Sequence, residues 1–353
     1  MNAARQPESR RSLDPAVSPE PRRSPTSPLL ALPDDVLQRV LVGVPRDDHD
    51  VAALVCKRTR GIITGPRFLA ARRRYGFAEY GIVTISDREA GVLQIKMAHK
   101  REVMATIPAG QLSLYGSTTD GGARLFVTTG PGQILAVDAS SRRWRRFATL
   151  PRNQRFQCME VHGGLLYVAG GSRRGEPAIN SFHVFNEVTG LWEDLPPMPH
   201  ACRMAASGVI GNELFVAGGR GWGNEDLSFL QIYDFTARAW RQGAPLPHAQ
   251  RGACGVVVDG KLYLVSTKMS PVRSTLVYDV QSNTWDQQTP PPYAPAEDLH
   301  AMYAFTHNGR IVVVYANGTA FHRGTGSDPD WYPFDLDVTS GPDHGVAGSV
   351  LLG

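Results

Sequence analysis

Leu165-Leu166-Tyr167-Val168-Ala169-Gly170-Gly171, then Phe185-Asn186, then Trp192, is the stretch that decides the fold of this chain. The order returns as Leu214-Phe215-Val216-Ala217-Gly218-Gly219, Tyr233-Asp234 and Trp240. Each copy reads as a short apolar strand, a glycine pair, an apolar residue before a turn former, and a tryptophan seven residues beyond it. Plainer copies flank these two: Val137-Asp138 precedes Trp144, and Leu262-Tyr263-Leu264-Val265 with Tyr278-Asp279 precedes Trp285. Trp144, Trp192, Trp240, Trp285 and Trp331 are separated by 48, 48, 45 and 46 residues. A period of this length with strand-type patterning marks a repeat array, and four short strands fit each unit. The expected fold of residues 80-353 is therefore an all-β propeller.

The ends of the array set its expected size. Met97 and Met104 are also seven apart and precede Ile107-Pro108, in the manner of Leu150-Pro151 and Leu195-Pro196, which gives a degenerate first unit and six blades in all. That first unit is too short for an opening strand, while His344 to Leu352 reads as an opening strand with nothing after it. The C-terminal strand is expected to close the ring on the first blade and so hide its edges.

Ahead of the array, two regions differ in kind. Residues 1-27 hold Arg5, Arg10, Arg11, Arg22 and Arg23 among repeated Pro and Ser, with too few large apolar residues to fold, so a disordered tail is expected. Its Ser18-Pro19, Ser24-Pro25 and Ser27-Pro28 pairs could receive phosphate. Residues 28-75 carry helical signals. Pro33 suits a first turn, Asp34 and Asp35 suit the positive end of a helix dipole, and Val36, Leu37, Val40, Leu41 and Val44 recur at helical spacing up to Gly43 and Pro45. Asp47 and Asp48 offer a second N-cap before Val51, Leu54 and Val55, with Lys57, Arg58 and Arg60 at the far end of that helix. Gly65-Pro66 restarts a third, carrying Phe68 and Leu69 and ending at Arg72, Arg73 and Arg74. So small an all-α unit needs a further surface to complete its apolar burial, supplied either by the next domain or by a protein partner.

Leu32-Pro33-Asp34-Asp35-Val36-Leu37, Val40-Leu41, Val55-Cys56-Lys57-Arg58 and Phe68 together resemble an F-box, with Thr59 where that family commonly has tryptophan. The glycine pair, the aromatic before the turn and the tryptophan seven residues on resemble the kelch repeat, although Ser266-Thr267 and Tyr315-Ala316 stand where glycines are expected. A WD-type repeat is disfavoured, since Trp285-Asp286 occurs once and not at the repeat interval. An F-box followed by kelch repeats resembles the plant-type substrate receptors of Skp–cullin–F-box ubiquitin ligases. That resemblance implies a Skp-family adaptor and, through it, a cullin as partners, with a target protein held by the propeller for ubiquitination. It places Leu32, Pro33, Asp34, Val36, Leu37, Val40, Leu41, Leu54, Val55 and Cys56 on the adaptor surface. The alternatives are a binding scaffold acting outside the ligase and a catalytic, metal-dependent propeller like the kelch-type copper radical oxidase.

Little favours catalysis. The chain has no GxSxG, HExxH or GxxxxGK motif and no carboxylate pair set up for acid/base work. Its histidines are scattered, so neither a cofactor nor a metal site is expected, and the chain is read as a non-catalytic adaptor. Cys56, Cys158, Cys202 and Cys254 form no CxxC pair, and the last three fall in segments that read as strands, where a reduced thiol acts as a small hydrophobe. The net charge of +4 is dispersed, so no nucleic-acid partner is expected. The longest apolar runs fall well short of the roughly 20 residues that span a bilayer, and no secretory segment opens the chain, so a soluble cytoplasmic or nuclear protein is expected.

One further recurrence locates a candidate target surface. Arg155, Arg203 and Arg251 are spaced by 48 and 48 residues, each twelve residues before its strand aromatic, and His300 takes the equivalent place in a later unit. Propeller geometry gathers such residues on one face near the central channel, where they either satisfy buried carbonyls or bind an acidic or phosphate-bearing segment. The long Gly219–Leu227 loop adds Arg220 and Trp222 as candidates.

Overall fold

The computed structural model describes residues 31–44, 49–63, 67–68, 71–72, 79–89, 92–97, 102–108, 116–122, 124–129, 132–138, 143–267, 269–292, 302–315, 319–324, 330–334 and 344–352. The expected tail, 1-27, lies outside them, as do Gly65-Pro66, Arg73, Arg74 and His300. The chain divides into two compact units, Met1–Ala71 and Arg72–Gly353.

In the first unit, α1 (Asp34–Val42) starts on Pro33, carries Asp34 and Asp35 in its first turn and stops at Gly43. Next come α2 (His49–Leu54) and α3 (Lys57–Ile63). The expected second helix is thus two, and Lys57, Arg58 and Arg60 open a new helix instead of closing the old one. The cause is local: the Cys56 backbone N–H donates to Thr59 Oγ1 (3.2 Å) while the Thr59 N–H donates to Cys56 Sγ (3.4 Å). This reciprocal pair is the capping-box arrangement that starts a helix at Lys57. Thr59 is buried in this role.

The second unit is a β-propeller built from four-stranded antiparallel sheets. Its strands are β1 (Glu79–Glu89), β2 (Val92–Met97), β3 (Glu102–Pro108), β4 (Gly116–Thr119), β5 (Arg124–Thr128), β6 (Gln133–Asp138), β7 (Arg143–Thr149) and β8 (Cys158–His162). They continue with β9 (Leu165–Ala169), β10 (Phe182–Asn186), β11 (Leu191–Asp194), β12 (Ala206–Ile210), β13 (Glu213–Ala217), β14 (Leu230–Asp234), β15 (Ala239–Gln242) and β16 (Cys254–Val258). The last are β17 (Lys261–Val265), β18 (Thr275–Asp279), β19 (Thr284–Gln288), β20 (Met302–His307), β21 (Arg310–Tyr315), β22 (Ala320–Arg323), β23 (Tyr332–Pro333) and β24 (His344–Leu352). Five sheets use consecutive strands, from β4–β7 to β20–β23, and one has the order β24-β1-β2-β3. In that sheet β24 pairs with β1 from Glu79↔Leu352 to Ser86↔His344.

The burial of each strand follows from its place in a blade. The second and third strands of the well-described sheets are buried on both faces, whereas the fourth is exposed except at its half-buried tryptophan. Alternate side chains of one strand therefore serve two interfaces. Leu166 and Val168 pack back on Phe126 and Ile134, whereas Tyr167 and Ala169 pack forward on Leu214 and Val216. This is why the second strands read as unbroken apolar runs.

The repeated tryptophans staple blade to blade. In the outer hairpins Phe185 pairs with Trp192, Tyr233 with Trp240 and Tyr278 with Trp285, so the seven-residue offset is a cross-strand pair. Four of the indole N–H groups then reach a carbonyl about one repeat upstream: Trp192 to Thr149 (2.9 Å), Trp240 to Pro196 (2.8 Å), Trp285 to Ala244 (2.9 Å) and Trp331 to Thr289 (3.1 Å). The turn formers act as Asx caps: Asn186, Asp234 and Asp279 each accept from two following backbone N–H groups.

The glycine pairs are required by close approach. Gly171 and Gly219 have φ of 99° and 97°, and a Cβ on either would sit 2.8 Å from the carbonyl oxygen of Arg155 or Arg203. Where Ser266-Thr267 replaces the pair, hydroxyls take over: the Ser274 N–H donates to Ser266 Oγ (3.0 Å) and Thr267 Oγ1 donates to the Gly252 carbonyl (2.7 Å). The four cysteines are free thiols, but Cys202 lies in the linker before β12 and not in a strand, because strand pairing starts only at Ala206.

Candidate functional site

The helical unit contains its own small core. Leu37, Leu41, Val42 and Phe68 form it, with Leu32, Ala52, Ile62 and Ile63 packed against it. Two residues of the expected docking surface, Leu37 and Leu41, thus point inward and are fully buried. The helix carries two apolar stripes, 37/41 and 36/40, each at i, i+4 spacing, and only one of them can face the core. Leu32 is half-buried against that core, and Cys56 is half-buried in its cap with Thr59. Asp34 is engaged as well: Arg58 donates to its carboxylate (2.6 Å) and to the Leu32 carbonyl (2.6 Å), tying the start of α3 to the start of α1.

What stays outside is apolar. Pro33, Val36 and Val40 of the expected set are exposed on or before α1, and Leu54 (72% exposed) and Val55 at the end of α2. Val51, 65% exposed, completes the α2 side. Its i, i+3, i+4 relation to Leu54 and Val55 is the signal that marks it in the sequence.

On the propeller, Arg155, Arg203 and Arg251 each lie three residues before an innermost strand, β8, β12 or β16. Their backbones are structural. Arg155 exchanges hydrogen bonds with Ser172 (2.8 and 2.9 Å) and Arg203 with Arg220 (3.0 and 2.8 Å). The residues that follow, Phe156 and Met204, have left-handed φ of 60° and 55°. The Met204 N–H donates to the Phe156 carbonyl (2.9 Å) and the Gly252 N–H to the Met204 carbonyl (2.8 Å), so successive linkers are chained together.

Three of the arginine side chains converge on one loop. Arg203 donates to the Asn224 side chain (2.7 Å), Arg220 to the Asn224 carbonyl (2.7 Å), and Arg251 holds both oxygens of Asp226 (2.7 and 2.5 Å). Gly221 and Gly223 leave room for the Glu225 carboxylate against the loop backbone. The product is a braced hairpin displaying Trp222, which is 70% exposed. The 48-residue period does not pick out Arg152 and Arg174, which are exposed on this face and make no ion pair among the described residues.

A further titratable group lies deeper. Glu160 on β8 accepts from Ser207 Oγ on β12 (2.7 Å) and from Thr118 Oγ1 on β4 (3.4 Å), bridging three adjacent innermost strands. Burial pushes its carboxyl up to about 7, against the lowering effect of the two hydroxyls. Burial likewise pushes the Cys158 thiol up to about 12. Among the described residues, no three His, Cys, Asp or Glu side chains converge as metal ligands. No described helix is long and apolar enough to cross a membrane.

Residues 156–337 match the family model of the KLHDC2/KLHL20/DRC7 Kelch-repeats domain, and residues 29–70 match that of the F-box domain. The chain belongs to the F-box/kelch-repeat family. Similar curated relatives include two from Arabidopsis thaliana. F-box/kelch-repeat protein At5g26960 is 26% identical over 165 residues, which cover 42% of this chain and 39% of the relative. F-box/kelch-repeat protein At4g39560 is 26% identical over 193 residues, covering 51% and 71%. This F-box/kelch chain spans about half the length of the first curated relatives it matches, 55% and 39%. The solved structure titled "Structure of YjhT" shares the fold with a TM-score of 0.51 at 16% identity, covering 59% of this chain and 73% of that one.

Proposed function

We propose that this chain is the substrate-recognition subunit of a Skp–cullin–F-box ubiquitin ligase, its helical module docking on a Skp-family adaptor and its propeller holding a target protein. The chain performs no covalent chemistry itself. Its contribution to transfer is to hold the target close to groups supplied by other subunits. One observation carries the reading: a small helical unit keeps Val36, Val40, Val51, Leu54 and Val55 exposed while closing its own core on Leu37 and Leu41. Uncovered apolar side chains at this density mark a protein interface. The module is read as residues 28-75 and the propeller as 80-353. A ring of six blades closed by the C-terminal strand is supported by the sheet β24-β1-β2-β3 and by packing of β24 against both β20 and β4.

The test is co-purification of the full chain with a Skp-family protein. Val40→Asp combined with Leu54→Asp is expected to lower adaptor capture at least about tenfold with an unchanged melting temperature, since both sites are exposed. Undiminished capture by that variant removes this surface from the proposal, and failure of the unaltered chain to capture any Skp-family protein removes the ligase reading. Leu37→Asp and Leu41→Asp do not serve, because a buried carboxylate unfolds the module whatever it docks on.

A further inference from the structure

The loops after the second strands and the linkers before the first strands lie on one edge of the blades, joined by the Arg155↔Ser172 and Arg203↔Arg220 bridges. Across residues 150–157, 170–181, 198–205, 218–229, 246–253 and 266–274, the described residues include eight arginines and three carboxylates. Two of those carboxylates are spoken for: Asp226 is paired with Arg251 at 2.5 Å, and Glu176 lies 3.9 Å from Arg173. The third, Glu225, folds back over Gly221 and Gly223. The described residues of this face thus carry more arginines than carboxylates.

Two of the periodic arginines, Arg203 and Arg251, are engaged with the loop. Arg203 and Arg220 each direct one donor to Asn224, and Arg251 holds both oxygens of Asp226, so the three brace the loop. Arg152, in the linker before β8, and Arg174, on the loop after β9, are exposed and make no ion pair among the described residues. Exposed apolar side chains share these loops. Trp222 is displayed on the braced loop, and Met269 and Val272 are exposed on the equivalent loop of the next blade. Met204 adjoins Met269 across Gly252, whose absent side chain leaves the space they share.

We infer that this face grips an acidic peptide segment carrying a large apolar side chain, with Trp222 and Met269 taking the apolar group and Arg152 and Arg174 taking its carboxylates. The inference rests on the receptor reading above and names the chemistry of its target. A rigid aromatic on a pre-braced loop contributes contact area at small ordering cost, and the arginines around it select negative partners and speed encounter. A basic or neutral apolar segment meets the same tryptophan but opposes or ignores the arginines.

The measurement is fluorescence anisotropy of labelled peptides of about ten residues with the purified full chain, in the absence of any adaptor. The probes are a glutamate–leucine peptide, its lysine–leucine counterpart, a glutamate–serine peptide, and a serine–leucine peptide bearing phosphoserine. The glutamate–leucine peptide is expected to bind at least about tenfold more tightly than the lysine–leucine and glutamate–serine peptides, and more weakly as salt rises. Trp222→Ala, and separately Arg152→Glu with Arg174→Glu, are each expected to reduce that affinity about tenfold with the melting temperature unchanged. Equal binding of acidic and basic peptides, indifference to both variants, or binding of the phosphoserine peptide alone overturns the inference. Because no adaptor is present, these outcomes are independent of adaptor capture, and either reading can fail while the other stands.

Discussion

Glu160 shows what a single misplaced charge costs a propeller. Its carboxyl is confined between hydroxyls of the neighbouring blades, and burial raises it from 4.5 to about 7. Between roughly pH 4.5 and 7 the folded chain therefore keeps a proton that the unfolded chain has released, and stability falls as pH rises through that window. Cys158 on the same strand stays neutral throughout. The ionised carboxylate costs at most on the order of 3 kcal/mol at pH 8, less whatever solvent screens at a half-buried site. Glu160→Gln keeps the shape and removes the charge. It is expected to raise the melting temperature by several degrees at pH 8 and to change it little at pH 5. A variant that melts below the parent at pH 8 shows the charge to be stabilising and refutes the assignment. Nothing in the sequence marks this residue, since a lone glutamate in a strand reads as solvent-facing until the adjacent blades are present.

At the scale of elements, much was legible because each kelch feature does a separable physical job. The tryptophan interval gave the repeat, the aromatic–turn offset proved to be a cross-strand pair, and the glycine pair answers to two carbonyls at one tight corner. Helix breaks were less legible. The Cys56–Thr59 cap that starts α3 uses a thiol as acceptor, outside the usual Ser, Thr, Asp and Asn signals. The face of α1 was not legible at all, since 36/40 and 37/41 are equally apolar and burial chose the leucines. The glycine argument makes a graded prediction. Gly219→Ala places a Cβ 2.8 Å from the Arg203 carbonyl and 2.9 Å from the Ala205 Cβ at a φ of 97°. The loss is expected to exceed the roughly 1 kcal/mol of an ordinary left-handed alanine, reaching about 2–3 kcal/mol in urea unfolding. Gly260→Ala, with a φ of 71° and nothing within 4 Å of the added carbon, is the control and is expected to lose only about 1 kcal/mol. Equal losses at the two positions would mean that backbone conformation alone, not the interblade carbonyl, sets the requirement.

At the scale of the whole propeller, the weight falls on one long-range pairing. Five sheets are made of neighbours in sequence, and each could form while its own segment folds. The remaining sheet joins β24 to β1 across almost the entire unit, and β24 also packs against β20 and β4. Loop closure over that distance is entropically costly, so this sheet is expected to form last. Its benefit is collective: without β24 the ladder edge of β1 from Glu79 to Ser86 is bare, and β20 and β4 lose the strand between them. Deleting residues 344–353 is therefore expected to do more than remove one strand. The truncated chain should unfold over a broader transition with a lower m-value, and its exposed edge should drive concentration-dependent association visible in sedimentation. Adding the missing strand as a separate peptide should reverse both effects, since an extended segment supplies the same hydrogen bonds from outside. If the truncated chain instead unfolds in one sharp transition and stays monomeric, the consecutive blades are self-sufficient and the closing strand contributes no cooperativity.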